Sequence, residues 1–208
     1  DLPVTAISSA NLLAFYIPMY TATRLAIPLA RQAKTINPSV HICFYGLYAP
    51  MNEAYLRNLG ADTILGGEFE TGLVSLCNRL RHSDLQPEKQ SEPIISLQRQ
   101  TFIAPNRNNL PSLSNYASLQ TGNGKLQIVG YTEASRGCKH HCRHCPVVPV
   151  YQGKFRIIQR DVVLEDIRRQ VAAGAEHITF GDPDFFNGIG HALPIIRNLH
   201  QEHPNLTY

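Results

Sequence analysis

Leu126-Gln127-Ile128-Val129-Gly130-Tyr131-Thr132-Glu133-Ala134-Ser135-Arg136-Gly137-Cys138-Lys139-His140-His141-Cys142-Arg143-His144-Cys145 runs from an apolar strand straight into a loop bearing three cysteines. Their spacing is C-x3-C-x2-C, so the loop offers three thiolates and not four. A closed structural zinc site or an ordinary electron-transfer cluster takes four protein ligands. Three protein ligands and one open position is the arrangement of a metal site that does chemistry. Thiolates are soft ligands, suited to iron–sulfur clusters and to zinc. Cys138, Cys142 and Cys145 could hold three irons of a 4Fe–4S cube and leave the fourth iron to a substrate. The competing reading is a zinc knuckle completed by His140, His141 or His144.

Downstream of the loop the pattern becomes a β-α repeat. Asp161 is the candidate N-cap of a helix through Ala173, with Val163, Ile167 and Val171 on one face and Gly174 as its stop. His177-Ile178-Thr179-Phe180 reads as the next strand and ends in Gly181-Asp182-Pro183-Asp184. A helix from about His191 to Gln201 follows, and Leu206-Thr207-Tyr208 begins a third strand. Strands alternating with helices, with polar loops after each strand, predict the opening units of a (β/α) barrel, whose active sites lie at the carboxyl ends of the strands.

Upstream, Asn11 to Ile17 is a continuous apolar run, read as a strand buried on both faces. A helix over Ala22–Thr35 places Leu25, Leu29 and Ala33 together, and Asn37-Pro38 stops it. Val40–Tyr45 and Thr63–Leu65 are further strands. Between them lies a helix over Asn52–Leu59 capped by Gly60, and a last helix covers Glu70–Leu80. In that last helix Leu73, Leu76, Cys77 and Leu80 share a face, and Cys43 and Cys77 read as small core residues. This order predicts a Rossmann-like parallel α/β sheet. Residues 82–125 are rich in Pro, Asn, Gln and Ser and read as a linker, with Phe102 and Leu110–Leu113 packed onto something. The expected division is 1–81, an α/β domain incomplete at its N-terminus; 82–125, the linker; and 126–208, a barrel domain incomplete at its C-terminus.

Bulk properties narrow the classes. The net charge is +3 and the positive residues are spread out, which argues against a nucleic-acid partner. Five clustered cysteines argue against a secreted disulfide framework and for a reducing cytoplasm. The apolar stretch Leu12–Ala30 contains Arg24 and two prolines, so it reads as strand plus helix and not as a membrane span.

The stretch Thr132–Cys145 resembles the signature of radical S-adenosylmethionine (SAM) enzymes: the cysteine spacing, the preceding Ser135-Arg136-Gly137, the strand before it and the Gly-Asp-Pro-Asp site downstream. The resemblance covers 126–208. It implies that Cys138, Cys142 and Cys145 bind a 4Fe–4S cluster whose fourth iron takes the amino and carboxylate groups of SAM. An electron then splits the sulfonium bond, and the resulting 5′-deoxyadenosyl radical abstracts hydrogen from a substrate. His144 stands where the family has an aromatic beside the adenine. Gly181 allows close approach, and Asp182 or Asp184 could accept from the SAM ammonium. Asp-Pro-Asp is also ordinary turn chemistry.

Residues 11–80 resemble the cobalamin (B12)-binding domain that precedes many radical SAM enzymes, through Cys43–Tyr48 and Ala61–Glu70. That resemblance implies a cobalamin at Gly46, Tyr48, Gly66, Gly67 and Glu68. The family's cobalt-ligating Asp-x-His-x-x-Gly motif is missing, and the alternative is a domain that only scaffolds the barrel. Together the resemblances imply a cytoplasmic radical SAM enzyme. Methylation of an unactivated carbon is the leading activity. The substrate is a small molecule or peptide, and the electron donor is a flavodoxin or ferredoxin. The other class is a non-enzymatic zinc- or cobalamin-binding regulatory module.

Overall fold

The computed structural model describes residues 3–82 and 91–208. The chain forms two compact units, Asp1–Arg99 with Cys142–Gln152, and Gln100–His141 with Gly153–Tyr208.

The first unit contains α1 (Val4–Ser8), β1 (Leu12–Tyr16), α2 (Tyr20–Ile36), β2 (His41–Tyr45), α3 (Tyr48–Met51), α4 (Glu53–Asn58), β3 (Thr63–Gly67), α5 (Glu70–His82), β4 (Ile95–Ser96) and α6 (Val148–Tyr151). Its sheet has the order β1-β2-β3-β4, parallel throughout, with Leu12 opposite His41, Cys43 opposite Thr63 and Gly66 opposite Ile95. The two central strands are almost wholly buried, as the apolar runs require. Strand β1 departs from the expectation of burial on both faces. It lies at the sheet edge, and Ala14 and Tyr16 are exposed.

Helix α2 also turns a different face to the sheet. Thr23, Ala26, Ala30 and Ala33 are buried, and Leu25 is exposed. Small side chains let the helix axis approach the strands, so close packing selects the alanine stripe over the leucines. In α5, Leu76 is buried but Cys77 is exposed, which corrects its reading as a core residue; Leu73, Leu76 and Leu80 carry the contact. Cys43 is a core residue, and burial pushes its thiol up to about 12, so it stays neutral.

The second unit contains β5 (Ser118–Gln120), β6 (Leu126–Thr132), β7 (Ser135–Gly137), β8 (Phe155–Ile157), α7 (Arg160–Ala172), β9 (His177–Phe180) and α8 (Ile189–Glu202), with 3-10 turns at Leu113–Asn115 and Phe185–Gly188. Strands β6 and β9 pair in parallel, with Val129 opposite His177 and Thr132 opposite Phe180. A parallel bridge from His177 to Thr207 begins the next strand. Strand β5 pairs antiparallel with β6, and β7 with β8. Val163, Ile167, Ile178, Ile195 and Leu199 form the core beneath this sheet. Among the described residues the strands do not close into a barrel. The fold class read from the sequence, a Rossmann-like parallel sheet followed by the first units of a (β/α) barrel, is the one found.

Two local expectations change. Helix α7 starts at Arg160 with Gln159 at the cap position, so Asp161 lies in the first turn instead, where a carboxylate still meets the positive end of the helix dipole. Residues 82–125 divide between the units. Strand β4 hydrogen-bonds to β3, β5 pairs with β6, and Phe102 and Leu113 join the second core; Ile103 remains 85% exposed, and residues 83–90 lie outside the described residues. Edge strands held by main-chain hydrogen bonds need little apolar sequence, which is why composition alone reads them as linker.

Candidate cofactor site

Strand β6 delivers the chain to the cysteine loop, and its end is pinned from beneath. Asp166 of α7, 3% exposed, accepts from Thr132 Oγ1 (3.0 Å), Gln170 Nε2 (3.0 Å) and the Arg107 guanidinium (2.8 and 3.0 Å). Gln170 in turn accepts from the Tyr131 N–H at 2.8 Å and donates to its carbonyl at 3.1 Å. A buried carboxylate of this kind is stable only when its charge is paired and its lone pairs are filled, and all of these partners do that. Sequence reading missed this cluster. Its signal was present: Asp166 and Gln170 stand at i, i+4 within the otherwise apolar stripe of Val163, Ile167 and Val171.

Past Thr132, the chain enters β7. Gly137 has φ +69°, a left-handed conformation that favours glycine, and it turns the backbone into Cys138. Cys138 is partly buried, and the His140 N–H lies 3.5 Å from its sulfur. Lys139 donates its backbone N–H to Asn187 Oδ1 (2.6 Å) and its ammonium to the Asn187 carbonyl (2.6 Å), and the ammonium sits over the Phe155 ring. His140 Nε2 is 3.6 Å from Asp184 Oδ2. These contacts tie the first cysteine to the loop after β9.

That loop holds the downstream residues singled out in the sequence. The Gly181 N–H donates to the Thr132 carbonyl at 2.8 Å. A Cβ at Gly181 would fall within 3.0 Å of the Tyr131 ring, so the close approach there is made by the chain itself. Asp182 accepts from the Ala134 N–H at 3.0 Å and from the Ser135 hydroxyl, joining the end of β9 to the start of β7. Asp184 caps the Phe185–Gly188 turn by accepting from the Phe186 N–H at 3.1 Å and from the Asn187 amide. His191 donates to the Ala134 carbonyl at 3.1 Å.

The rest of the loop belongs to the first unit. Cys142 and His144 are exposed and Cys145 is partly buried. The Cys145 N–H donates to the Cys142 carbonyl (3.3 Å) and the Val148 N–H to the Cys145 carbonyl (3.3 Å), leading into α6. Val147, Val150 and Tyr151 are buried, and the Tyr151 hydroxyl donates to Glu68 Oε1 at 3.0 Å. All three loop cysteines are free thiols. As donors they suit an iron–sulfur cluster: soft sulfurs, close in sequence, on backbone fixed at both ends. Among the described residues no three His, Cys, Asp or Glu side chains are drawn together around one metal position.

The residues assigned to a cobalamin by resemblance are engaged within the first unit. A Cβ at Gly46 would meet the Tyr16 ring at 3.0 Å, one at Gly66 would strike Pro50, and one at Gly67 (φ +69°) would strike the Ser96 carbonyl. Tyr48 packs against the core, and its N–H donates to the Ile17 carbonyl at 3.1 Å. Glu68 is fully buried. The glycines read as corrin contacts are therefore accounted for by internal packing, and the fit to a corrin rests on topology alone. A cavity of about 1190 Å³ opens in the second unit between Arg107, Leu113, Tyr116, Tyr131 and Thr179, and no cysteine lines it.

No protein-family model matches the chain, and no curated protein matches it by sequence. Solved structures do match. The chain shares its fold with a radical SAM methyltransferase. That enzyme is TsrM from Kitasatospora setae, solved with tryptophan substrate and a SAM analogue (aza-SAM) bound; the TM-score is 0.70 at 16% identity, over 98% of this chain and 44% of TsrM. A second TsrM structure, with cobalamin and a 4Fe–4S cluster bound, gives 0.68 at 14% identity, over 94% of this chain and 43% of that one. At such identity the likeness to TsrM is one of fold. The chain spans less than half of TsrM's length. Among the described residues no helix is long and apolar enough to cross a membrane.

Proposed function

We propose that this chain is the cofactor-bearing part of a radical SAM iron–sulfur enzyme, with Cys138, Cys142 and Cys145 as the cluster ligands. One observation carries the reading: a C-x3-C-x2-C loop follows the first of two parallel strands, β6 and β9, in a fold shared with TsrM at a TM-score of 0.70. When bound, a 4Fe–4S cluster with an open iron supplies the electron that splits SAM into methionine and a carbon radical.

The protein's own residues bind and orient. Asp182 accepts from Ser135 and the Ala134 N–H, which holds the loop after β9 against the strand that leads into the cysteine loop. As the family resemblance implies, Gly181 and Asp184 would serve the amino-acid part of SAM and His144 its adenine. Methyl transfer with a cobalamin held by the first unit is the specific activity proposed, acting on a small molecule or peptide and fed by a flavodoxin or ferredoxin in a reducing cytoplasm. The likeness of both units to TsrM supports it.

The test is anaerobic reconstitution with iron and sulfide, followed by dithionite and SAM. Formation of 5′-deoxyadenosine is the expected result. Stoichiometric zinc, with SAM left intact, would instead identify a zinc-binding module.

A further inference from the structure

We propose that Glu68 and Tyr151 are positioning residues for the second half of the cysteine loop. The inference rests on the cluster reading above. Glu68 follows β3, is 0% exposed, and is fixed by its N–H donating to the Ser96 carbonyl at 2.7 Å. Its carboxyl accepts from the hydroxyl of Tyr151, which is 6% exposed, at 3.0 Å. Away from water such a bond is electrostatically strong, and its loss leaves a desolvated carboxyl short of a donor.

Tyr151 is joined to the cysteines by an unbroken run of main-chain turns. Cys145 donates to Cys142, Val148 to Cys145, and Tyr151 to Val147, at 3.3, 3.3 and 2.8 Å. Val147 and Val150, 6% and 1% exposed, bury the inner side of this run. A segment so braced moves as one piece, so fixing Tyr151 fixes the direction in which Cys142 and Cys145 are presented. This also explains why Cys142–Gln152 packs as part of the first unit although it is remote from it in sequence.

Tyr151→Phe removes the hydroxyl and little else, while Glu68→Gln keeps an acceptor at the same place and serves as the conservative control. Two readouts are taken on the whole chain. The first is amide hydrogen exchange without cluster, which does not depend on the cluster reading. Tyr151→Phe is expected to speed exchange across 142–152 about tenfold, with the β1–β3 amides unchanged and Glu68→Gln close to the unmodified chain. The second is the electron paramagnetic resonance spectrum of the reduced, reconstituted cluster, where Tyr151→Phe should shift or broaden the signal and Glu68→Gln should leave it as in the unmodified chain. Unchanged exchange in 142–152, or a rise spread evenly over the first unit, overturns the pairing. Local acceleration with an unaltered cluster spectrum overturns its positioning role. Failure of the unmodified chain to take up iron refutes the cluster reading, and with it the purpose assigned to the pair; the exchange data would still tell the two failures apart.

Discussion

The two ends of the cysteine loop are held by opposite physics. At the Cys138 end the holding groups are wet: Lys139 and His140 are exposed and reach Asn187 and Asp184 across the surface. At the Cys145 end they are dry: Val147, Val150 and the Tyr151–Glu68 bond are buried. Exposed polar contacts are screened and weak, whereas buried ones are costly to break. The wet end is stiffened one step back along the chain, where Asp166 and Gln170 clamp the end of β6 from inside the core. Each end of the loop is thus braced by buried polar groups, with Cys142 exposed and Cys138 and Cys145 partly buried between them.

The comparison can be broken most severely at the sulfurs. Cys142→Ala should abolish cluster assembly, read as iron and sulfide content, while Cys77→Ala, exposed on α5, should leave it intact. Equal loss in both would refute the division of the cysteines. Next is the clamp under β6. Asp166→Ala takes the carboxylate from the Arg107 guanidinium, the Thr132 hydroxyl and the Gln170 amide, and should cost about 2–3 kcal/mol in denaturant unfolding of the second unit. A loss below about 1 kcal/mol would show that the clamp is not what braces that strand.

A smaller effect is expected at the dry end of the loop. Tyr151→Phe should cost about 1–3 kcal/mol, the penalty for a buried acceptor losing its donor. At the wet end, Lys139→Ala should cost no more than about 1 kcal/mol. Equal costs at the two ends would erase the contrast.

The smallest effect belongs to a fully wet pair, Arg168–Glu202 at 2.7 Å. The Arg168 guanidinium holds the Glu202 carboxyl below its usual range. Its contribution is therefore present above the unfolded carboxyl's pKa and is lost as pH falls through the lowered folded value. Glu202→Gln should remove a few tenths of a kcal/mol at neutral pH and flatten that part of the acid limb.

How much of this was legible in the sequence depends on which force set each feature. Strands β2 and β3 fell where their apolar runs placed them, because burial on two faces leaves a continuous apolar stretch, and the half-buried β9 was marked by its short His177–Phe180 run before Gly181. The cysteine spacing was equally plain, being local chemistry. Faces were harder. Leu25 and Cys77 fit a helical stripe yet lie outside, since periodicity gives the existence of a face while the neighbour selects which side is used. The polar run after His82 concealed β4 and β5, whose pairing is main-chain and carries no apolar signature. Glu68 was read through resemblance as a ligand contact. Its partner lies 83 residues away, a distance over which sequence pattern carries no information.

The central claim is that three thiolates hold a cluster with one iron left open. Reduced, reconstituted chain examined by electron paramagnetic resonance with and without SAM tests it most directly. The account predicts about four irons and four sulfides per chain, and a signal that changes when SAM is added. A spectrum indifferent to SAM, or a chain that takes up one zinc and no sulfide, would contradict it.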